Sequence, residues 1–450
     1  MSTIQRRSLL KALPFVGPAL SRSVAQAQDA DPVQSIQLEA RQEWVTLGGR
    51  AALAFAYSRR VPGPAMELNP GERVVIDFRN ALPEPTNLHF HGLHIPATGS
   101  ADNMMIRVDS GAAQTYEFTL PGNHPGGTFW YHPHLHGAAA KQVSRGLAGP
   151  IIVRGVLDQI PEIAAAPEAL FFLQDFTVPA NGQFSEPGMM ARMNGREGSL
   201  ITVNGAANPV FNVQEQGWLR LRMVNASASR YYRVRLDQHP FHVIATDGGA
   251  IASPDAMEEL LLAPGERIEV MIPGNRPAGD YAFWNMPYNR GGGNNAQRPT
   301  QLASLRYEGT VENPWTLPGK LVEIDPLPPP TMKRSFRLGE SMMNFTINGR
   351  TFSESRIDTR VNLDSVEDWE FVNPTNMDHP IHIHTNPFQV LDANGNPTPV
   401  WKDTVNVRAN STQTLRIAFR DFEGVSLYHC HILDHEDLGM MGTVEIGRIV

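Results

Sequence analysis

Cysteine is almost absent from this sequence, and Cys430 is the only one in 450 residues. A single cysteine cannot form an intrachain disulfide, so the fold must be held together without one. Cys430 is therefore either a small buried apolar residue or a functional thiolate, and its sequence neighbours have to decide between the two. The chain also has no apolar run of about 20 residues, the length that a membrane-spanning helix needs, so we predict no stable membrane insertion.

Basic charge is in short supply as well. The chain has 38 Lys and Arg residues against 46 Asp and Glu residues, which gives a formal net charge of −8 at pH 7. An acidic surface repels phosphate groups. The composition therefore disfavours nucleic acid and anionic membranes as partners.

The N-terminus has the pattern of an export signal. Paired arginines in the stretch Arg6–Lys11 precede a short, mildly apolar run, and Ala25–Ala27 offers a cleavage site of small residues. The arginine pair predicts the twin-arginine export machinery as a partner. The alternative, a basic first helix of the folded domain, is disfavoured because the run is short and interrupted by proline. We therefore treat residues 1–27 as a signal peptide and predict a periplasmic or secreted protein.

The rest of the sequence favours strands over helices. It combines 38 Gly and 36 Pro residues with few apolar stretches of helical period. Runs such as Gln114–Leu120 and Gln413–Phe419 alternate polar and apolar residues, as strands do when one face is buried. We predict an all-β protein, and about 150 residues per domain would divide the chain into three similar units.

Proline-rich and irregular stretches predict where these units end. A first linker is expected near Leu157–Ala169 and a second in Pro314–Pro330, while the glycine-rich stretch Pro287–Pro299 is expected to be a mobile surface loop. The predicted units are the signal peptide (1–27), a first domain (28–157), a second domain (158–313), a linker (314–334) and a third domain (335–450).

Most of the 15 histidines lie in four short clusters, two in the first third of the chain and two in the last. The clusters are His89-Phe90-His91-Gly92, His132-Pro133-His134, His379-Pro380-Ile381-His382-Ile383-His384 and His429-Cys430-His431-Ile432-Leu433-Asp434-His435. On a strand, residues two apart point to the same face, so each His-x-His pair aims two imidazoles at one place. Four such pairs supply eight imidazoles, which predicts a metal site.

The single cysteine lies inside the last of these clusters. Strand alternation sends Cys430 to the opposite face from His429 and His431. The tripeptide would therefore join two metal sites back to back, which favours a functional thiolate.

A second ligand set surrounds the cysteine. The Cys430 thiolate, His435 and a weak axial Met440 form the ligand set of a blue-copper electron-transfer centre. The second imidazole of that centre could come from His379, whose strand parity is opposite to that of the two other histidines in its cluster. A simpler role for Met440, packing in the core, stays open.

These clusters resemble the four copper-binding motifs of the multicopper oxidases, the family of laccases, bilirubin oxidases and bacterial cuprous oxidases. The resemblance extends through Met193–Gly198, Val203–Gly205, Ala245–Gly249 and Asp403–Val405, and it is greatest for the bacterial three-domain members. It implies three cupredoxin-like Greek-key β-sandwich domains. Type 1 copper would lie in the third domain, a trinuclear copper site between the first and third, and no copper in the second.

The resemblance also implies which residues hold the four coppers. One type 1 copper would be bound by His379, Cys430, His435 and axial Met440, one type 2 copper by His89 and His382, and two type 3 coppers by His91, His132, His134, His384, His429 and His431. The other histidines are expected to be structural or solvated, with a supporting role open for the two nearest the motifs, His94 and His136; the remaining three are His124, His239 and His242.

The activity that the resemblance implies is oxidation of a small reducing substrate, such as a phenol, an aromatic amine or Cu(I), coupled to reduction of dioxygen to water. That reaction consumes protons, and the two acidic positions of the family match Asp102 and Glu436. Both are candidates for proton delivery. Asp102 could instead only shape its turn, and Glu436 could have a purely structural role.

Three other functions compete with a laccase-like oxidase. A cuprous oxidase would need soft thioether ligands near the type 1 copper, for which Met377 and the methionines of Met189–Met193 are candidates, with the Asp378 carboxylate beside Met377; packing is the simpler role of these methionines. A copper-free envelope scaffold of the same fold would have lost ligands, whereas none of the twelve is missing. A two-domain copper nitrite reductase is disfavoured because the histidine pairs of the oxygen site are complete.

Overall fold

Nearly all of the regular structure in this chain is β-strand, as the sequence predicts. The computed structural model describes residues 33–292 and 298–448, so the predicted signal peptide lies outside the described residues. Residues from Val33 onward form a single unit. Within the described ranges, no helix is long and apolar enough to cross a membrane.

The first sandwich is built from eight strands and a short helix. These are β1 (Val33–Leu47), β2 (Arg50–Tyr57), β3 (Met66–Leu68), β4 (Arg73–Ala81), β5 (His89–His91), β6 (Ala113–Thr119), β7 (Gly127–His132), α1 (Ala139–Ser144) and β8 (Gly149–Val153). One sheet has the strand order β2-β1-β4-β6 and the other has the order β3-β8-β7-β5. Two of the predicted histidine clusters therefore begin on neighbouring strands of the second sheet.

The second sandwich follows a helical connection, a 3-10 turn over Val156–Gln159 and α2 (Pro161–Ala164). Its elements are β9 (Glu168–Phe176), α3 (Met189–Met193), β10 (Leu200–Val203), β11 (Val210–Glu215), β12 (Trp218–Asn225), β13 (Tyr232–Leu236), β14 (Phe241–Thr246), β15 (Gly249–Met257), β16 (Glu259–Leu262), β17 (Arg267–Pro273), β18 (Asp280–Met286) and β19 (Thr300–Thr310). The sheets have the orders β10-β9-β12-β17-β14-β15 and β11-β19-β18-β13-β16.

The third sandwich comprises eleven strands and one helix. They are β20 (Met332–Ser341), β21 (Asn344–Ile347), β22 (Thr359–Asn362), β23 (Ser365–Asn373), β24 (His379–Ile383), β25 (Phe388–Leu391), β26 (Pro397–Lys402), β27 (Thr404–Val407), β28 (Ser411–Phe419), β29 (Gly424–Cys430), α4 (Leu433–Asp437) and β30 (Met441–Gly447). The sheets have the orders β21-β20-β23-β28-β25-β26 and β22-β30-β29-β24-β27.

Alternation of apolar and polar residues explains why these segments form sandwich strands. In β4, Val74, Ile76 and Phe78 are buried, while Arg73, Asp77 and other residues between them reach the surface. Burying each of these apolar side chains contributes about 1.5–3 kcal/mol. Each sandwich has its own large apolar core, which supports the predicted architecture of three cupredoxin-like Greek-key domains.

The predicted connecting segments differ in how closely they pack. The stretch near Leu157–Ala169 is partly helical, and Leu157 and Ile163 are buried in the core of the second sandwich. Pro314–Pro330 contains neither helix nor strand. The residue limits of the three domains stay a prediction.

The stretch Pro287–Pro299 differs from the mobile surface loop that its glycines predict. Residues 293–297 lie outside the described residues, but Arg290 is 1% exposed and its carbonyl accepts a hydrogen bond of 2.8 Å from the N–H of Asp378. Gly291 forms a bridge with Met377. The prediction is wrong for this part because the segment packs directly beside the start of β24.

Candidate metal centre

Strand pairing brings the histidine clusters together two by two. In the first sandwich, antiparallel β5 and β7 place His89 opposite His132. In the third, antiparallel β24 and β29 place His382 opposite His429. Each pair of strands thus presents imidazoles from two distant parts of the sequence on one face.

These two sets of imidazoles meet between the first and third sandwiches. The ring of His91 stacks on that of His382 with 3.8 Å between centroids, and His89 stacks on His384 at 4.1 Å. Each ring in this eight-histidine cluster belongs to a residue no more than 2% exposed. The cluster consists of His89, His91, His132, His134, His382, His384, His429 and His431.

Within the eight-histidine cluster, the side chains divide into groups of three that could each hold one ion. The ligand atoms of each group lie within 4.8 Å of one another. The groups are His91, His132 and His431; His134, His384 and His429; and His89, His91 and His382. The first two groups together contain the six histidines predicted to hold the two type 3 coppers, and the third contains both predicted type 2 ligands.

Ring nitrogens left without protein partners support metal binding in this cluster. Burying a polar atom without a partner is unfavourable, and a metal ion would satisfy it. The buried ring nitrogens with no hydrogen-bond partner include His89 Nε2, His91 Nδ1, His132 Nε2, His382 Nε2 and both nitrogens of His431. The residues present therefore fit a group of cations.

Burial also keeps these imidazoles in the form that binds metal. Desolvation lowers the pKa of His89 well below its usual value, and the neighbouring imidazoles lower it further. The pKa of His431 is lowered in the same way by burial and then by His91 and His132. Neutral imidazole is the protonation state that coordinates a metal ion.

A second cluster, formed by His379, Cys430 and His435, lies inside the third sandwich. The Cys430 Sγ atom is 3.5 Å from His379 Nδ1 and 3.8 Å from His435 Nδ1, and the two nitrogens are 3.4 Å apart. Ligands that share one ion at metal distances of about 2.0 Å for nitrogen and 2.3 Å for sulfur have separations of this order. This type 1 cluster therefore has the dimensions of a three-ligand metal site.

Burial affects the cysteine in the opposite sense from the histidines. Desolvation raises the pKa of the Cys430 thiol, so a cation is needed to hold it as a thiolate. Met440 is also fully buried, in the same apolar core, and its carbonyl accepts a hydrogen bond of 3.0 Å from the Cys430 N–H. The axial role of the Met440 thioether stays a prediction.

The carboxylate of Asp102 contacts the eight-histidine cluster directly. Its Oδ1 atom lies 2.9 Å from His89 Nδ1 and accepts a hydrogen bond of 2.8 Å from the Phe90 N–H. Burial raises the pKa of Asp102 to about 7, although the hydrogen bond from Phe90 opposes that shift. Asp102 is 1% exposed and fixes a ring, so shaping a surface turn does not account for it.

Glu436, on α4, contacts other histidines of the cluster. Its Oε2 atom is 3.1 Å from His429 Nδ1, and its Oε1 atom is 3.6 Å from His134 Nδ1. Burial alone would raise the pKa of Glu436, but His134 and His429 outweigh that effect and lower the pKa to about 2. Both carboxylates singled out in the sequence thus lie beside imidazoles of the cluster, and their part in proton delivery stays a prediction.

Two contacts that the sequence did not predict cover the edge of His435. Its ring stacks on that of Phe345, with 3.9 Å between centroids and 12° between planes. Its Nε2 atom donates a hydrogen bond of 3.0 Å to the carbonyl of Met193 in α3. Helix α3 and the start of β21 therefore lie between this imidazole and solvent.

Two further residues near the histidines were not assigned a role from sequence. Asp403 Oδ1 lies 3.1 Å from His91 Nε2, and the ring of Trp130 stacks on His132 at 4.1 Å. Both lie in or beside motifs visible in the sequence, because Trp130 is two residues before His132 and Asp403 begins the Asp403–Val405 motif. The sequence shows that both residues lie beside a motif, but it does not show that their side chains contact the histidines.

The five histidines expected to be structural take no part in the groups of possible metal ligands in the described ranges. His94 is the most notable, because its Nδ1 donates to the Thr385 carbonyl at 2.6 Å and its Nε2 lies 2.8 Å from Asp421 Oδ2. It thereby connects the first sandwich to the third. The other four have ordinary contacts: His124 accepts from the His94 N–H, His136 packs on Phe352, His239 contacts Tyr307 and His242 packs on Trp218.

The candidate ligands for substrate copper are differently placed. Met377 is 4% exposed, and its sulfur accepts a hydrogen bond from Arg290 Nη1 at 3.2 Å. Asp378 accepts from Tyr288, from Asn406 and from a backbone N–H. Two other methionines of the set, both in α3, are 52% and 64% exposed. The thioether and carboxylate nearest His379 are therefore engaged within the protein.

Comparison with known proteins agrees with this geometry. Three family models, each described as multicopper oxidase, match residues 39–157, 174–310 and 326–448. The chain is 29% identical over 404 residues to the multicopper oxidase mco of Staphylococcus haemolyticus, which covers 87% of this chain and 83% of that protein. It is 31% identical over 434 residues to the cell division protein FtsP of Dickeya dadantii, with 90% and 87% covered.

A solved structure gives the same result for the fold. The multicopper oxidase of Campylobacter jejuni, described as a metallo-oxidase, superposes with a TM-score of 0.81 at 30% identity. The match covers 94% of this chain and 95% of that chain. The likeness therefore extends over nearly the whole chain.

Proposed function

The chain belongs to the multicopper oxidase family, and on that premise we propose that it is a laccase-like enzyme. It couples one-electron oxidation of small phenolic or aromatic donors to reduction of dioxygen to water, with four electrons and four protons per dioxygen. The observation that carries the proposal is the tripeptide His429-Cys430-His431, whose sulfur lies in one ligand cluster while its imidazoles lie in the other.

Four coppers would occupy these two clusters. His379, Cys430, His435 and Met440 would hold the type 1 ion, and the eight-histidine cluster would hold one type 2 and two type 3 ions. When bound, the coppers supply storage of electrons that arrive singly and are used four at a time. The complete ligand set, its burial and its unpartnered nitrogens support this assignment.

The protein itself provides the connection between the clusters. Cys430 is covalently continuous with His429 and His431, so the electron path from sulfur to either imidazole runs through adjoining backbone. Met193 contacts the edge of the His435 ring and Phe345 stacks on its face, which supports a donor that binds outside α3 rather than on the imidazole itself. Substrate electrons would then enter through this cover.

Protons would be managed by the two carboxylates beside the histidines. Asp102 holds the Nδ1 side of His89, and Glu436 contacts the Nδ1 side of His429. Both side chains are buried against ligand imidazoles, so each can hold or pass a proton next to the oxygen site without opening it to bulk solvent.

The direct test is the stoichiometry of oxygen consumption by purified, copper-loaded protein. With a one-electron phenolic donor, we expect four donors to be oxidised for each dioxygen and no hydrogen peroxide to accumulate. Two donors per dioxygen with release of peroxide would contradict the proposed function. Copper-free protein is the matched control and should consume no oxygen.

Oxidation of Cu(I) is the second candidate function within the family, and the methionines near the type 1 cluster are the reason to consider it. However, Met377 and Asp378 already accept hydrogen bonds from other residues of the protein, which favours organic donors. Comparing rates for Cu(I) and for a phenolic dye, in wild type and in Met377→Leu, separates the two. A selective loss of Cu(I) oxidation in the variant would favour the cuprous oxidase.

A non-catalytic envelope scaffold is the candidate from a different class. The similarity to a protein named for cell division is the reason to consider a scaffold, whereas the complete set of ligands favours an enzyme. Metal analysis after copper loading distinguishes them. A scaffold should keep little copper after dialysis, whereas the enzyme should retain close to four ions per chain.

Export by the twin-arginine route is part of the same proposal. We expect the protein to fold before it crosses the membrane by this route and to reach a periplasm or the outside of the cell. Replacing both Arg6 and Arg7 with lysine should leave the protein in the cytoplasm, as measured by cell fractionation. Unchanged export of that variant would contradict the route.

A further inference from the structure

One arginine of the copper-free second sandwich is fully buried where the three sandwiches meet. Arg267 is the first residue of β17, and its side chain is 0% exposed. The sequence offers no histidine, cysteine or motif that points to it. Its contacts nevertheless lead directly to the eight-histidine cluster.

The guanidinium group of Arg267 has a partner for each of its five N–H donors. Nε donates to the Thr128 carbonyl at 3.0 Å, and Thr128 belongs to β7 of the first sandwich. Nη1 donates to the Gly265 carbonyl at 3.1 Å, and Nη2 donates to the Asp247 carbonyl at 2.8 Å. The remaining two donors form a bidentate pair with Asp403 of the third sandwich, at 2.7 and 2.5 Å.

Asp403, which pairs with Arg267, also contacts two histidines of the cluster. Its carboxylate lies 3.1 Å from His91 Nε2, which leaves His91 Nδ1 as the buried ring nitrogen without a protein partner. Its carbonyl accepts a hydrogen bond of 2.9 Å from His382 Nδ1, which leaves His382 Nε2 in the same condition. One aspartate thus selects the free nitrogen on both rings.

We propose that Arg267 is a positioning residue for the metal centre, through which the copper-free sandwich orients His91 and His382. The proposal rests on the proposed assignment of those histidines as copper ligands. Arg267 holds Asp403 in one orientation, and Asp403 sets the rotation and tautomer of both rings. Partners of this kind control how ligand histidines present themselves to a metal.

Close packing supports a fixed arrangement rather than an incidental ion pair. Gly92, with φ of +88°, lies so close that an added Cβ would be 2.3 Å from Arg267 Nη2 and 2.6 Å from Asp403 Oδ2. Gly265, with φ of +88°, would bring an added Cβ within 2.9 Å of the His431 ring. The loop before β17 therefore reaches the metal centre itself.

The charges around Arg267 are also paired away from solvent. Asp247 lies 3.7 Å from Arg267 Nη1 and 2.9 Å from Lys402 Nζ, and Lys402 also pairs with Glu266 at 3.0 Å. Arg267 and Asp403 thus belong to a network that extends back into the second sandwich. Lysine could not replace Arg267, because its single ammonium cannot reproduce the planar bidentate contact and the other three donors.

The test compares Arg267→Lys with Arg416→Lys in copper-loaded protein. Arg416 also forms a bidentate pair with a buried aspartate, Asp368, at 2.7 and 3.0 Å, but within the described part of the chain it does not contact a ligand histidine. Copper retention is measured against a graded chelator, and type 1 and type 2 signals are recorded separately by EPR spectroscopy. We expect Arg267→Lys to weaken retention of type 2 and type 3 copper by about 10–100-fold, with the type 1 signal intact.

Asp403→Asn provides a second route if Arg267→Lys folds poorly, and it should show the same selective loss. Unchanged type 2 signals and retention in Arg267→Lys would overturn the proposal. Equal loss of type 1 and type 2 signals in Arg267→Lys and in Asp403→Asn would also overturn the proposal, because such a loss indicates a general folding defect. Failure of the proposed function is separate, since wild type itself would then lack the two copper signals.

Discussion

The two metal-ligand clusters differ in how much of the chain each one needs. The type 1 cluster is local, because β24, β29 and α4 of one sandwich supply His379, Cys430 and His435. The eight-histidine cluster requires two sandwiches to meet, and a third supports it through Arg267. The type 1 cluster and the eight-histidine cluster, which are the proposed electron-accepting and oxygen sites, should therefore respond differently to the same disturbance.

The two clusters also differ in the ionisable groups that they contain and that surround them. The type 1 cluster contains one thiol, whose pKa burial raises, and two imidazoles, whose pKa values burial lowers. The eight-histidine cluster is flanked by the carboxylates of Asp102, Glu436 and Asp403. Carboxylates thus flank the cluster in which the proposed reaction consumes protons. No carboxylate is among the three ligands of the type 1 cluster.

The largest effect that separates the clusters is expected from Cys430→Ser. Removing the thiolate should abolish the blue colour and reduce turnover to background, since it removes both a ligand and the covalent start of the electron path. The type 2 EPR signal should remain, because none of the eight histidines is altered. Visible absorption, EPR spectra and oxygen uptake measure all three, and turnover equal to wild type would contradict the electron path.

The next effect falls on the oxygen site alone. Glu436→Gln keeps the size of the side chain but removes its ability to hold and release a proton, so turnover should fall by about 100-fold or more. The blue absorption should not change, because Glu436 contacts His429 and His134 rather than Cys430. Steady-state oxygen uptake at equal copper content measures the loss, and wild-type turnover would remove Glu436 from the mechanism.

A smaller effect should come from loosening the contact between the first and third sandwiches. His94→Ala removes the hydrogen bonds to Thr385 and Asp421, so copper of the eight-histidine cluster should be lost about 10-fold more readily to a chelator. Type 1 copper should be retained as in wild type. His242→Ala is the matched control, because His242 is a half-buried histidine of the second sandwich. Equal retention in both variants would contradict the role of His94 at the interface.

The smallest effect should be confined to the type 1 cluster. Met440→Leu replaces a weak axial thioether with a non-coordinating side chain, which should raise the type 1 reduction potential and leave copper content unchanged. Redox titration of the blue absorption measures the shift. An unchanged potential would mean that Met440 only packs the core.

Much of this arrangement can be predicted from the sequence because it depends on short-range rules. Strand alternation alone places the two imidazoles of a His-x-His pair on one face and Cys430 on the other. The Gly and Pro content and the period-two runs predict an all-β fold. Resemblance to family motifs then implies three sandwiches and the ligand set, and the structure brings those ligands together.

Other features could not be predicted because they depend on contacts between distant segments. Arg267 and Asp403 are 136 residues apart, and nothing in their local sequence indicates that they form a buried pair. The cover over His435 comes from Met193 and Phe345, which lie in different sandwiches. The glycine-rich stretch after Pro287 has the composition of a surface loop, yet Arg290 within it is buried by its tertiary partners.

The copper content and spectrum of purified wild-type protein test the presence of two separate copper clusters most directly. Inductively coupled plasma analysis combined with visible and EPR spectroscopy should find close to four coppers per chain. The spectra should contain one intense copper–thiolate absorption, one type 1 signal and one type 2 signal of equal intensity. Fully metallated protein that is colourless, or that holds a single copper, would contradict the two-cluster account.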